Sequence, residues 1–212
     1  MNVKAARASA TRESILVTAE RLFAEHGVQV VSNRHISEAA GQGNNAAVNY
    51  HFGTKVDLVR AIVRKHAEPM ERLRAELVEA TDGDAGLRDW VACLVRPSTT
   101  YLRELGAPTW FARFSAQVMT DPALREIIAE ESLASPALAC AVDGLNRCLD
   151  GLPPDVRAER GDMARQLMIH MTAERERALA EGTPTPRATW DVAGTGLIDA
   201  ITGLLLAPVT PA

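Results

Sequence analysis

The sequence predicts an all-α protein, a small N-terminal module of three helices followed by a larger helical domain. Three observations carry this. Apolar residues recur at helical rather than alternating spacing along most of the chain. Gly and Pro fall in clusters that cut the sequence into pieces of helix length. Aromatic residues make up only 4% of the 212 residues while Ala and Leu are abundant, a composition that favours helices over sheets.

The elements follow in order. Residues 1–10 are polar, lack an apolar period and are expected to form a mobile arm. Thr11 is a plausible N-cap and Gly27 a plausible stop for a first helix, with Ile15, Leu16, Ala19, Leu22 and Phe23 on its buried face. Ser32 can cap a second helix from about Asn33 to Ala40, stopped by Gly41, with Ile36, Ala39 and Ala40 facing the core. The turn Gly41-Gln42-Gly43 leads to a third short helix near Asn44–Tyr50. Thr54, with Asp57 three residues on, resembles a capping box for a long helix whose apolar side is Val56, Leu58, Val59, Ile62 and Val63. That helix runs past a kink permitted by Pro69 towards Ala80. Gly and Pro punctuation then places helices near 85–104, 108–118, 122–130, 135–150, 155–180 and 188–206. The last contains Gly194, Gly196 and Gly203, each worth about 1 kcal/mol of helix stability relative to Ala, which points to close backbone approach by a neighbour. The chain is accordingly divided into a module over 1–55 and a helical domain over 56–212.

Bulk properties narrow the class. The formal net charge is −4, but residues 1–66 hold nine Lys and Arg against five Asp and Glu, and the remainder fourteen against twenty-two. A basic module sits on an acidic body. There is no run of 18 apolar residues and no signal-peptide pattern, so no membrane association and a cytoplasmic location are expected. Cys93, Cys140 and Cys148 lack CxxC spacing and suit small core thiols in a reducing compartment. His26, His35, His51 and His66 match no zinc signature, so neither metal nor cofactor is expected. No Gly-rich phosphate loop, nucleophile elbow or paired-carboxylate motif appears, which argues against an enzyme.

Two short helices joined by a Gly-containing turn are the geometry that puts a second helix into the major groove of DNA. Here that second helix carries Asn44, Asn45, Asn49, Tyr50 and His51. An Asn amide suits an adenine edge, and Ala46 and Ala47 are small enough to approach a thymine methyl. Ser32, Arg34, Thr54 and Lys55, near the starts of the flanking helices, are placed to reach phosphates. The alternative for the Asn cluster is turn and cap chemistry, and Phe52 is expected in the core.

The segments ILVTAERLFAEHG (15–27), SNRHISEAAG (32–41) and AVNYHFGTKVDL (47–58) resemble the DNA-binding domain of the TetR family of bacterial helix-turn-helix transcriptional regulators. The resemblance covers about a quarter of the chain. It implies that Tyr50 and His51 end a recognition helix that touches the DNA backbone, that Lys55 contacts phosphate, and that Ser32 both caps its helix and bonds phosphate. The chain departs from the family in one place. Gly41 to His51 is a step of ten positions where nine is usual, which leaves open which of Asn44, Asn45 and Ala46 faces the bases.

For the whole chain the resemblance implies a sequence-specific DNA-binding transcriptional regulator, a repressor released from a palindromic double-stranded operator by a small-molecule effector. The alternative is a helical interaction protein that has lost DNA reading. The last two long helices are implied to form a homodimer, with Met163, Leu167, Met171, Trp190, Leu197, Ile198, Ile201 and Leu205 at the interface. The alternative is that both helices pack onto their own body. The aromatic-rich stretch with Tyr101, Trp110, Phe111, Arg113, Phe114 and Met119 is a candidate effector cavity, a filled core being the other reading.

Overall fold

The computed structural model describes residues 3–44 and 46–210, among which there are ten α-helices and no strand. These are α1 (Val3–His26), α2 (Asn33–Ala39), α3 (Ala47–Phe52), α4 (Lys55–Glu79), α5 (Leu87–Leu105), α6 (Phe111–Thr120), α7 (Pro122–Leu133), α8 (Pro136–Arg147), α9 (Pro154–Ala180) and α10 (Trp190–Leu206). No described helix is long and apolar enough to cross a membrane.

Local signals set most boundaries. Ser32, Asp121, Ser135 and Thr189 each cap the following helix through a side-chain oxygen, and Pro occupies the first position of α7, α8 and α9. Two helix starts in the N-terminal region differ from the sequence expectation. α1 begins at Val3, so residues 3–10 extend the helix instead of forming an irregular arm. Residues 5–10 are exposed, and their Ala and Arg content supplies helix propensity without any apolar face. α3 begins at Ala47 instead of near Asn44.

The first core cluster joins the N-terminal helices to the body. Ile15, Leu16, Ala19, Leu22 and Phe23 of α1 pack with Leu58, Val59 and Ile62 of α4, Tyr101 and Leu102 of α5, and Phe111, Phe114 and Val118 of α6. Phe23 stacks on Phe114 at 6.2 Å between ring centroids. The second cluster lies farther along the chain, where Trp90, Val91 and Val95 of α5 meet Ala141 and Leu145 of α8 and Leu197, Ile198, Ile201 and Leu205 of α10. Close backbone approach occurs twice here. A Cβ at Gly144 would overlap the Trp90 ring, and one at Gly194 would lie 2.8 Å from Thr99 Oγ1. Gly203 has open space around it, so of the three α10 glycines Gly194 carries the close approach to α5.

Buried and half-buried carboxylates tie the helices together. Glu71 of α4 accepts from the Ala137 backbone N–H at 2.8 Å and from the Ser135 hydroxyl, holding the start of α8. Glu176 of α9, 2% exposed, accepts from Ala112 and Arg113 N–H, both at 3.0 Å, and so holds the start of α6. A negative group at a helix N-terminus meets unpaired donors and the positive end of the dipole. Glu20 of α1, His66 of α4 and Tyr101 of α5 form a buried chain, with 2.9 Å at both His66 nitrogens. On the surface, Arg60 and Arg64 of α4 pair with Glu130 and Glu131 of α7. Of the cysteines, Cys93 is buried whereas Cys140 and Cys148 are exposed, so only one fits a core thiol.

Candidate nucleic-acid interface

α2, the turn after it, α3 and the start of α4 are shaped by local chemistry. Ser32 Oγ accepts from His35 N–H at 3.1 Å and starts α2. Gly41 ends it at φ +68°, where Gln42 N–H bonds Ser37 C=O at 2.9 Å and Gly41 N–H bonds Glu38 C=O at 3.1 Å. That pair of bonds is the Schellman pattern, and the left-handed position strains any side chain. Asn44 Oδ1 then accepts from Ala46 N–H at 2.9 Å, an Asx turn. This is why α3 starts late: Asn44 serves the turn, and the helix begins only at Ala47. Asn45, a candidate base contact, lies outside the described residues.

α3 has two unlike faces. Ala47 and Val48 are buried against the core. Asn49 and Tyr50 are exposed, Tyr50 at 84%, and His51 is half-buried with its ring edge-on to Tyr50. Phe52 packs on the core beneath the Arg12 guanidinium, 4.7 Å from the ring centroid. Ala46 is exposed at the N-cap position of α3. Arg34 is exposed and pairs with Glu38 at 2.8 Å, which pushes its pKa up; an exposed pair of this kind is weak and leaves the guanidinium free to rearrange.

Lys55 lies in a different setting from the one expected for a purely phosphate-facing lysine. Its Nζ donates to Val28 C=O at 3.1 Å and to Gln29 C=O at 3.5 Å, fastening the α1–α2 loop to the start of α4. Thr54 caps α4 in a full capping box with Asp57. The Thr54 hydroxyl and backbone N–H, in that order, hold the Asp57 carboxyl below its ordinary value of 3.8. A carboxylate depressed on folding adds stability above the unfolded carboxyl range that is lost as pH falls through the folded value. Asp57→Ala is therefore expected to melt at a lower temperature than the parent at pH 7, the gap closing below about pH 4. A gap unchanged at pH 3 in thermal melts would rule out the carboxylate as its source.

Sequence reasoning missed Asn33. It occupies the first position of α2 and its Nδ2 donates to Asn49 Oδ1 at 2.8 Å. Nothing local announces this pair, because it depends on how α2 and α3 cross.

In the body the six expected cavity residues are buried or half-buried, which fits the filled-core reading. Tyr101, Phe111, Phe114 and Met119 are buried, and Trp110 is half-buried against the same core. Arg113 Nε donates to Glu176 at 3.1 Å. These side chains fill the space they were expected to line, because Phe23 stacks on Phe114 and His66 stacks on Phe111. A concavity of about 220 Å³ lies nearby instead, walled chiefly by Leu102, Pro108, Thr109, Glu176, Leu179 and Trp190.

The residues expected at the interface between copies divide by burial. Leu197, Ile198, Ile201 and Leu205 are buried within the chain where α10 packs on α5, and Trp190 is buried in the first core cluster, under the Arg175 guanidinium at 5.0 Å. Leu167 is half-buried against that core. Met163 and Met171 are exposed at 45% and 51%. Helical periodicity marks a residue as buried without saying which neighbour buries it.

Residues 15–62 match the family model described as bacterial regulatory proteins, tetR family. Among known proteins, the chain is 37% identical over 87 residues to the HTH-type transcriptional repressor AcnR of Corynebacterium glutamicum, covering 39% of this chain and 46% of AcnR. It is 35% identical over 68 residues to the HTH-type transcriptional repressor BepR of Brucella suis, covering 32% of each. The match thus spans less than half the length of either relative. Among solved structures, AmtR of Mycobacterium smegmatis aligns with TM-score 0.57 at 23% identity over 90% of this chain and 85% of that one. PfmR, a TetR family transcriptional regulator from Thermus thermophilus, aligns with TM-score 0.54 at 17% identity over 92% of this chain and 99% of that one. These likenesses establish the fold.

Proposed function

Residues 15–62 match the tetR family model, and we propose that the chain is a TetR-family, sequence-specific DNA-binding transcriptional regulator acting as a repressor. The observation that carries this is the two-faced α3. Ala47 and Val48 anchor it, while Asn49 and Tyr50 are exposed, with Asn49 bonded to Asn33 at the start of α2. An exposed aromatic next to short polar donors, on a basic module, suits phosphate and base edges.

A palindromic operator requires two copies related by a two-fold axis. The outer sides of α9 and α10 supply a surface for that pairing. Met163 and Met171 are exposed on α9, and Val192, Gly196, Gly203 and Leu206 fall on one side of α10, with Val192 at 42% and Leu206 at 64%. The cavity beside Trp190 and Glu176 is where a small, mainly apolar effector fits. An effector there would press on the Glu176 tie to α6, and α6 touches α1 through Phe114 and Phe23. Such a regulator works in the cytoplasm, where its DNA is.

The test is selection of bound duplexes from a random pool with the full chain. A two-fold symmetric site is expected, with half-sites about 34–36 Å apart or a related spacing. Tyr50→Ala should weaken binding to that site about tenfold, equivalent to ~1.4 kcal/mol. Its melting temperature should not change, because Tyr50 is 84% exposed. A pool with no enriched sequence would instead favour a helical interaction protein. A subsequent screen for small molecules that release the duplex tests the effector.

A further inference from the structure

The side chain that aims Asn49 is Asn33. Asn49 stands on the exposed face of α3, and its Oδ1 already accepts from Asn33 Nδ2 at 2.8 Å. Among the described residues its own Nδ2 has no partner, so the group left to meet a ligand is a pair of N–H donors. The orientation of the pair follows from Asn33. Asn33 Oδ1 is buried without a partner. Turning both amides over would bury an NH2 group there instead, leaving two donors unused in place of one acceptor. Orphaned buried N–H groups are the rarer and costlier case.

We propose that Asn33 is a specificity-determining positioning residue. It locks the Asn49 amide so that the recognition helix offers the base edge a donor and withholds its acceptor. This rests on the DNA-reading function proposed above. A donor-only amide favours major-groove acceptors, guanine N7 and O6 or thymine O4, over the lone N4 donor of cytosine. An unconstrained Asn would use both its atoms on adenine N6 and N7. The pairing thus removes the usual Asn–adenine match and replaces it with a different one.

The experiment is duplex selection with the parent chain, Asn33→Leu and Asn33→Asp, each first shown to fold by its circular dichroism melt. The parent should enrich guanine or thymine at one position per half-site. Asn33→Leu cannot hydrogen-bond, so that position should flatten while the others keep their preference. Asn33→Asp presents only acceptors to Asn49, so the Asn49 amide should turn, donate to the carboxylate and expose its Oδ1. Preference at that one position should then move to cytosine or adenine. The added charge weakens binding to every sequence alike, and comparison of positions within one pool removes it. Unchanged preferences in both variants, or a uniform loss of affinity with no change at any position, would overturn the proposal.

If the parent enriches no duplex, DNA reading itself fails, and the pairing is judged without DNA. The Asn49 side-chain NH2 signals in the nuclear magnetic resonance spectrum of the free protein should exchange freely in the parent and become protected in Asn33→Asp. Signals that do not respond to the substitution sink the pairing as well.

Discussion

Glu176→Ala is expected to destabilise the protein by about 3–5 kcal/mol, the range for removing one partner of a buried ion pair. Glu176 is 2% exposed and accepts three hydrogen bonds, from Ala112 N–H, Arg113 N–H and Arg113 Nε. Its loss leaves the first turn of α6 without acceptors and the Arg113 guanidinium, largely buried, without its counter-charge. Urea unfolding measures this as a lower midpoint at unchanged slope. Arg113→Ala in the Glu176→Ala background should add much less than Arg113→Ala alone, since the guanidinium has already lost its partner. Strictly additive effects would show that the two side chains act independently. Glu176→Gln keeps acceptor capacity for one backbone N–H and should fall between parent and Ala. Because α6 lies between Glu176 and the Phe23–Phe114 stack, the variant also loosens the tie between α9 and α1.

His66→Leu is expected to cost about 3 kcal/mol or more, because it strands the Glu20 carboxylate in an apolar core. Glu20 is 6% exposed and its partner His66 is 2% exposed. At this chain length that loss corresponds to a melting temperature lower by roughly 6–12 °C. Tyr101, at the other end, has its phenol pushed up to about 12, first by burial and then by the Glu20 charge. It therefore stays protonated at ordinary pH. With a neutral imidazole its O–H donates to His66 Nδ1, and Nε2–H donates to Glu20. Glu20→Leu combined with His66→Leu should recover much of the stability, since an apolar pair leaves no stranded charge. A double variant as unstable as His66→Leu alone would contradict the charge argument and point to packing against Phe111, which stacks on His66 at 4.1 Å.

The chain itself determined whatever depends on neighbours a few residues away. Ser32, the Thr54–Asp57 box, Asp121-Pro122 and Ser135-Pro136 each start a helix where the sequence places one, because a cap closes within a single turn. Gly41 ends α2 for a reason equally local, its φ of +68°. The family motif in α1 to α4 is legible for the same reason, since its polar residues sit on short helices of fixed spacing. The start of α3 differs through a competition at this same scale: an Asn side-chain oxygen can either cap a helix or close a turn, and Asn44 closes the turn through its bond to Ala46 N–H.

Tertiary structure alone decided which surface buries which. The periodicity of α10 marks Leu197, Ile198, Ile201 and Leu205 as apolar, and only the packing of α5 against them shows that their partner is their own chain. Phe111 and Phe114 likewise suit either a cavity wall or a filled core by sequence, and the stacking of His66 and Phe23 upon them favours the core. The polar pairs span longer distances still: Asn33 meets Asn49 sixteen positions on, Glu20 meets His66 forty-six on, and Arg113 meets Glu176 sixty-three on. Hydrogen bonds act over about 3 Å, so a pair so far apart in sequence exists only once the helices between have crossed at the angle their packed faces allow.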